Sequence, residues 1–326
     1  MTIKNKNIKD FTKVISVSIL ALLISNNLAF ANPVIVEDNR TQVNQVNNIP
    51  VVNIATPTIN GVSRNTYKEF NVGEQGLVFN NSIDSVNSQL AGQLEKNPNL
   101  SDRSANLIVN EVVGGNLSQL KGTMEIVGNR ANLVIANPNG IVANGVSLVN
   151  SRMLFLSTGK PVFNKKYLLN FEITKGKVTI GEKGLDASSA EVLDISARSF
   201  QLNGQVTGTR IYTKIGPNIM GAKIPSLDRI ESEEPISKIS IDTGELGGMH
   251  ANQIMLIISN EKGADVHLKN IISSSDDPRK SVLVQLMKDS GNVYVTNQEQ
   301  NITIGANKYF HDGRELELIN GEWYYK

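Results

Sequence analysis

Short aliphatic and β-branched runs, each closed by Gly or Asn, recur along most of this 326-residue chain. Leu107-Ile108-Val109, Met124-Glu125-Ile126-Val127, Leu133-Val134-Ile135-Ala136, Met153-Leu154-Phe155-Leu156, Val178-Thr179-Ile180, Val192-Leu193-Asp194-Ile195 and residues 253–258 have the length and composition of strands. Gly122, Gly128, Gly140, Gly145, Gly159, Gly176, Gly181, Gly184, Gly204 and Gly208 punctuate them. The chain therefore reads as all-β. No strict repeat emerges, yet this texture favours a solenoid in which each coil buries its inward residues against the next. At roughly 20 to 30 residues per coil, about ten coils are expected. A β-sandwich shares the short strands and Gly-rich turns and is the competing architecture. Asn106, Asn116, Asn132, Asn144 and Asn150 favour the solenoid if aligned coils stack their amides into ladders. The plainer reading is that Asn populates turns.

One segment has a helical period. Val86, Leu90 and Leu94 follow an i, i+4, i+8 stripe that stops at Asn97-Pro98, which predicts a short helix or helical turn over residues 85–94.

The amino terminus has the layout of an export signal. Lys4, Lys6, Lys9 and Lys13 precede the 11-residue apolar run from Val14 to Ile24, and Ala29-Phe30-Ala31 supplies a small-residue cleavage pattern with the cut after Ala31. The run falls well short of the roughly 20 residues that span a bilayer, and no later apolar stretch is long enough. Taking four lysines and one aspartate away from 32 basic and 31 acidic residues leaves 28 and 30. No basic stripe marks a phosphate-tracking surface, so no nucleic-acid partner is expected. The chain has no Cys, so neither a disulfide nor thiolate chemistry is available. That also suits a chain that must stay unfolded across a periplasm.

Residues 32–50 are polar and short of pattern, a leader into the fold, and residues 51–275 form the main domain. After Ser273-Ser274-Ser275-Asp276-Asp277-Pro278, a linker or wide loop, residues 276–326 form an extension or cap. His311-Asp312-Gly313-Arg314 and Ile319-Asn320-Gly321-Glu322 carry hairpin signals, so residues 308–326 read as an antiparallel meander over an open edge.

Two Asn-Pro-Asn tripeptides, Asn97-Pro98-Asn99-Leu100 and Asn137-Pro138-Asn139-Gly140-Ile141, lie in the strand-rich region. Locally they are tight turns: Pro presets φ, and Asn closes a side-chain turn or tolerates left-handed φ. With Val52-Asn53-Ile54-Ala55-Thr56-Pro57, Asn65-Thr66-Tyr67, residues 70–77 (Phe-Asn-Val-Gly-Glu-Gln-Gly-Leu), Leu90-Ala91-Gly92, Asn110-Glu111-Val112, Gly184-Leu185-Asp186-Ala187-Ser188 and Leu246-Gly247-Gly248-Met249, the chain resembles the secretion domain of two-partner secretion exoproteins, the filamentous haemagglutinin family. The resemblance covers roughly residues 50–270.

It implies a right-handed parallel β-helix with an N-terminal cap and small antiparallel β extensions. It also implies recognition in the periplasm by the POTRA domains of an outer-membrane β-barrel transporter, export through it, and folding at the cell surface or outside. Under this reading Asn97, Pro98, Asn99, Leu100, Asn137, Pro138, Asn139, Gly140 and Ile141 are secretion motifs, either transporter contacts or corners of the recognised surface. Some relatives carry two Cys just after the second motif, where this chain has Ala143 and Val146. Family members run on for hundreds or thousands of residues, so a short exoprotein, one part of a split gene and a truncated remnant are all open. Adhesive, haemolytic and contact-dependent toxin activities belong to those longer regions.

Surface adhesion is the expected service of the exported chain. The alternative is a stand-alone adhesin for a host-cell or glycan receptor, with Trp323-Tyr324-Tyr325 as a contact. Catalysis has little support. His250, His267 and His311 lack metal-ligand spacing, no phosphate-binding loop is present, and no cofactor is expected. A β-helix polysaccharide-active enzyme using Asp242, Glu245 and Asp265 is the remote alternative, which a groove ringed by these carboxylates would favour.

Overall fold

A computed structural model describes residues 34–165, 167–221, 227–274, 282–296, 303–305, 309–311, 313–319 and 322–326. The export signal with Ala29 and Ala31 lies outside them, as do residues 275–278 of the 273–278 linker. Three faces of parallel strands wind around one apolar core. The first stacks Ile49–Asn53, Leu77–Asn81, Thr123–Gly128, Val146–Val149 and Leu185–Ala187. The second stacks Val62–Phe70, Leu107–Val112, Ala131–Ala136, Ser151–Ser157 and Val192–Ala197. Two long strands, Gln205–Ile215 and Gly248–Ser259, then serve both faces, bending where the register shifts at Gly208/Arg210. Ile271–Ser273 continues the first face, and Val282–Leu286 with Thr303–Gly305 the second. The third face runs from Ser118–Leu120 through Ile141–Ala143, Lys177–Ile180, Ser199–Leu202, Ile239–Thr243, Asp265–Lys269 and Val293–Thr296 to Tyr309–His311. This is the expected parallel β-helix, and among the described residues nine strands or half-strands on the second face agree with about ten coils.

Alternation explains the composition of the runs. Leu133 and Ile135 point into the main core, while Val134 and Ala136 point outward yet are also buried. Their cover is a small antiparallel sheet of Lys160–Phe163, Leu168–Ile173, Asn218–Gly221 and Leu227–Arg229, which lays Leu168, Phe171, Ile173 and Met220 on the second face. Burial on both sides is what makes these strands continuously apolar.

One expectation is corrected and two take a more definite form. Residues 85–94 are not helical: Val86–Ser88 and Gly92–Leu94 form an antiparallel hairpin, with Val86 opposite Leu94. Val86, Leu90 and Leu94 still share a face, packed with Val51, Val78 and Val127 on the outside of the first face. Buried Glu125 fixes the hairpin tip by accepting from Ser88 Oγ (2.6 Å), Gln89 N (2.8 Å) and Leu90 N (3.0 Å). Glu125→Gln turns an amide N–H₂ toward these donors and is expected to cost about 2 kcal/mol. Urea denaturation checks the loss, and faster amide exchange confined to the hairpin checks its place.

The polar leader is built into the fold. Val34–Val36 pairs antiparallel with Val62–Phe70, and Gln42–Val46 with Ile49–Asn53, so residues 34–53 cap the first coil. Asn47 (φ 50°) and Asn48 (φ 63°) form the two-residue turn, as a mirror-image hairpin turn requires. The amide ladder also takes a different form. Asn116, Asn144 and Asn150 bond to Glu69, to the Lys183 N–H and to the carbonyls of Ile126 and Gly128. An amide-to-amide bond between coils joins instead Asn80 to Asn53 (3.0 Å). The tail is the expected meander: Tyr309–His311, Arg314–Ile319 and Glu322–Tyr325 pair antiparallel at the end of the third face.

Candidate functional site

The two Asn-Pro-Asn motifs occupy different corners but have one geometry. Asn97 follows the hairpin at the turn from first to second face, and its fully buried side chain donates to the carbonyls of Ile54 (3.0 Å) and Asn80 (2.8 Å). Its Oδ1 accepts from Asn99 N (2.8 Å), and its carbonyl accepts from Leu100 N (3.1 Å). Asn137 turns the chain from second to third face. Equally buried, it donates to Asn116 O and Ser118 Oγ (3.0 Å each), while Oδ1 accepts from Asn139 N (2.9 Å) and its carbonyl from Gly140 N (3.0 Å). Each first Asn thus closes a turn with its acceptor and staples a neighbouring coil with its donors. Asp could do the first but not the second.

The other motif residues divide by exposure. Leu100 and Ile141 are core residues. Gly140 takes φ +117°, where a Cβ would lie 3.0 Å from Lys177 O. Asn99 donates to the carbonyls of Arg40, Asn53 and Ile54, and Asn139 to Gly114 O. Pro98 is exposed and Pro138 half-exposed. Ala143 and Val146 are buried in the core.

Asn99 also borders a groove of about 430 Å³ whose walls include Arg40, Thr56, Arg64, Phe163 and Tyr167. Arg64 spans it, paired with buried Glu111 (2.8 Å) and lying over the Phe163 ring (4.6 Å). At its rim, hydrogen bonding from Arg40 and then Thr66 holds the Asp38 carboxyl down to about 2. A lowered carboxylate pKa stabilises the fold above the unfolded value near 4 and ceases to do so as pH falls toward 2. With a third of the Asp38 side chain exposed, the contribution is at most about 1 kcal/mol. Asp38→Asn is expected to lower stability by up to about 1 kcal/mol above pH 5 and to close that gap to wild type between pH 4 and 2, read by urea midpoints.

Behind the first motif lies a buried polar set. Asn65 Oδ1 accepts from Thr41 Oγ1 and Ala55 N (2.8 Å each), and its Nδ2 donates to Val109 O. Tyr67 donates to Asn110 Oδ1 (2.9 Å), and burial pushes the phenol well above its usual pKa. These are residues of the resemblance, and their place is inside the capped first coils.

Of the remaining sequence candidates, the register sets Asp242 beside His267 on neighbouring third-face strands. His250 bonds Ser274, while His267 lies 4.8 Å from the Tyr294 ring on the third face, which also carries His311. Asp242 accepts from Gln201, Asp265 accepts from Asn292 N, and Glu245 is exposed in a turn. Among the described residues no His, Cys, Asp and Glu cluster could hold a metal. Trp323, Tyr324 and Tyr325 belong to the last strand. Sequence reasoning missed Glu125 and the buried pair Arg198–Glu261, each of which depends on contacts distant in sequence.

Comparisons accord with this architecture. Residues 33–308 match the TPS secretion domain family. The 16S rRNA endonuclease CdiA of Enterobacter cloacae is 39% identical over 247 residues, 74% of this chain and 7% of that protein. The tRNA nuclease CdiA of Escherichia coli O6:K15:H31 is 38% identical over 269 residues, 80% of this chain and 8% of the relative. The chain thus spans less than a tenth of the length of these curated relatives. The crystal structure of the filamentous hemagglutinin secretion domain superposes with a TM-score of 0.72 at 29% identity, covering 86% of this chain and 98% of that one.

Proposed function

Because the chain belongs to the TPS secretion domain family, we propose that it is the export-directing part of an exoprotein, recognised by the POTRA domains of an outer-membrane β-barrel transporter. Two-partner secretion carries such exoproteins through the periplasm to the cell surface or the extracellular space. The observation that carries the reading is the match over residues 33–308, on a β-helix that covers nearly all of the haemagglutinin secretion domain. The matched region is a secretion domain rather than an enzyme.

Residues 1–31 act as a removable signal, cut after Ala31. The secretion domain begins earlier than residue 51, since the cap strands from Val34 onward belong to its first coil. Cargo beyond this domain is toxin rather than adhesin, a reading supported by relatives that carry the names of nucleases and toxins. The Asn-Pro-Asn motifs serve export as corners of the fold: their first Asn side chains are wholly buried, and each donates to a neighbouring coil, Asn97 also to Asn80 of its own. Coils forming outside bury apolar surface, which opposes return through the transporter.

Binding of the chain, unfolded in urea or native, to the transporter's isolated periplasmic domains tests the recognition step. Capture of the unfolded chain, with the native form at least about tenfold weaker, is expected if an extended segment is recognised by strand addition. No capture of either form would sink it.

A further inference from the structure

We propose that the buried Arg198–Glu261 pair makes the middle coils fold as one block, preventing the coil-by-coil closure otherwise open to a solenoid. Arg198 is the largest fully buried side chain among the described residues, at 1% exposure. It sits at the corner after Val192–Ala197. Its guanidinium donates one hydrogen bond to Glu261, Nη2 to Oε1 at 3.0 Å, and Nη1 lies 2.7 Å from Oε2 as a charge contact without hydrogen-bond alignment. Nε donates to Ser232 Oγ (2.8 Å) and Nη2 to Pro235 O (3.0 Å). Every one of these acceptors lies later in the chain, by 34 to 63 residues.

Glu261 does not belong to the adjacent coil. Gly216 N bonds Ala197 O, and Asn260 N bonds Ile215 O, so the corner of the intervening coil separates Arg198 from Glu261. Gly216 leaves room there: at φ +118°, a Cβ on it would lie 2.8 Å from Glu261 N. Segment 232–235 is fastened in turn to the coil before Arg198, through Ser232 Oγ and Glu233 N to Thr174 O (3.0 Å each).

The physical consequence is independent of which end leads. A guanidinium stays charged at any ordinary pH, so Arg198 cannot escape burial by losing its proton. Burial pushes the Glu261 carboxyl above its usual pKa even with Arg198 beside it, so this group also pays for leaving water. Arg198 buried without Glu261 is therefore an uncompensated charge. Nearest-neighbour coils of a solenoid can add singly. Here the coil at residue 198 must wait for residue 261, and the step between them takes in two coils and the excursion that carries Asn218–Gly221 and Leu227–Arg229. The inference builds on the export reading by setting the size of one folding step outside the cell. Refolding in a tube needs no transporter, so the two can fail separately.

The test is pulse-labelled hydrogen exchange during refolding of the chain from urea. Amides of Val192–Ala197 and Met255–Ser259 are expected to gain protection with a single rate constant in the wild type. In the apolar double variant Arg198→Met/Glu261→Met, Val192–Ala197 should become protected at least about threefold earlier. Glu261→Gln, which keeps the shape but leaves Arg198 unpaired, should slow both segments together by about tenfold while Thr123–Ala136 keeps its rate. The proposal is overturned if wild-type Val192–Ala197 is protected well before Met255–Ser259. It is also overturned if Glu261→Gln refolds within twofold of wild type. If the double variant does not fold, the wild-type and Glu261→Gln results decide.

Discussion

Asn97→Ala and Asn137→Ala are each expected to destabilise the folded domain by about 3 kcal/mol and to lower export in parallel. The size follows from what each amide does. Asn97 is 0% exposed; its loss takes the side-chain partner from the Asn80 carbonyl and the N–H of Asn99 in a dry corner, and leaves the Ile54 carbonyl with the Asn99 amide alone of its two side-chain donors. Losing a buried partner costs roughly 1–3 kcal/mol for each group left unsatisfied, and water entering the new space recovers part of it. Asn97→Asp discriminates further. It keeps the turn bond to Asn99 but sets a carboxylate against two carbonyls, so it should be worse than Ala. Pro98→Ala is the complementary variant, since Pro98 is exposed and donates nothing. Urea midpoints and surface export are to be measured on the same set. Parallel loss in the Asn variants with Pro98→Ala near wild type supports the corner role. Loss of export in Pro98→Ala at unchanged stability would instead make the motif a contact.

Gly184→Ala is expected to cost a comparable amount, about 3 kcal/mol, with a lowered urea midpoint as its measure. Gly184 has φ +72°, and a Cβ would stand 2.3 Å from the Gln205 carbonyl oxygen, which is main chain of the next coil and cannot swing aside. Left-handed φ costs an L residue about 1–2 kcal/mol, and forcing two coils apart adds about 1–3. Gly76 is built alike, with φ +84° and Thr123 O at 2.7 Å, and each glycine precedes a first-face strand. A shift of the midpoint by less than the equivalent of about 1 kcal/mol would show that the corner yields more easily than this geometry implies.

These glycines show what the sequence exposed and what it hid. The short apolar runs and their Gly boundaries were enough to indicate a solenoid, because coil stacking demands inward aliphatic side chains and side-chain-free corners. The repeat itself was hidden. Leu193 pairs with Ile211 after 18 residues, whereas Ile211 pairs with Met255 after 44, since an excursion intervenes. The helix expected over residues 85–94 failed for a related reason: Val86, Leu90 and Leu94 satisfy a helical stripe, yet a hairpin also puts Val86 opposite Leu94. The Asn47-Asn48 turn was readable by hairpin chemistry, but the polar strand Gln42–Val46 beside it lacked an apolar alternation.

At the candidate site, the turn chemistry of both Asn-Pro-Asn motifs was visible in the tripeptides. Their donor bonds were not, because the accepting carbonyls of Ile54 and Asn116 are placed by coil stacking. The same holds more strongly for Arg198 and Glu261, which are 63 residues apart and meet across an intervening coil. Nothing in the local sequence marks either one as buried.

The most direct test of the export assignment is surface accessibility of the chain in cells that carry or lack its partner transporter. Protease shaving and antibody labelling of intact cells should find the chain outside only when the transporter is present, and in the periplasm when it is deleted. Equal surface exposure in both strains would contradict the account.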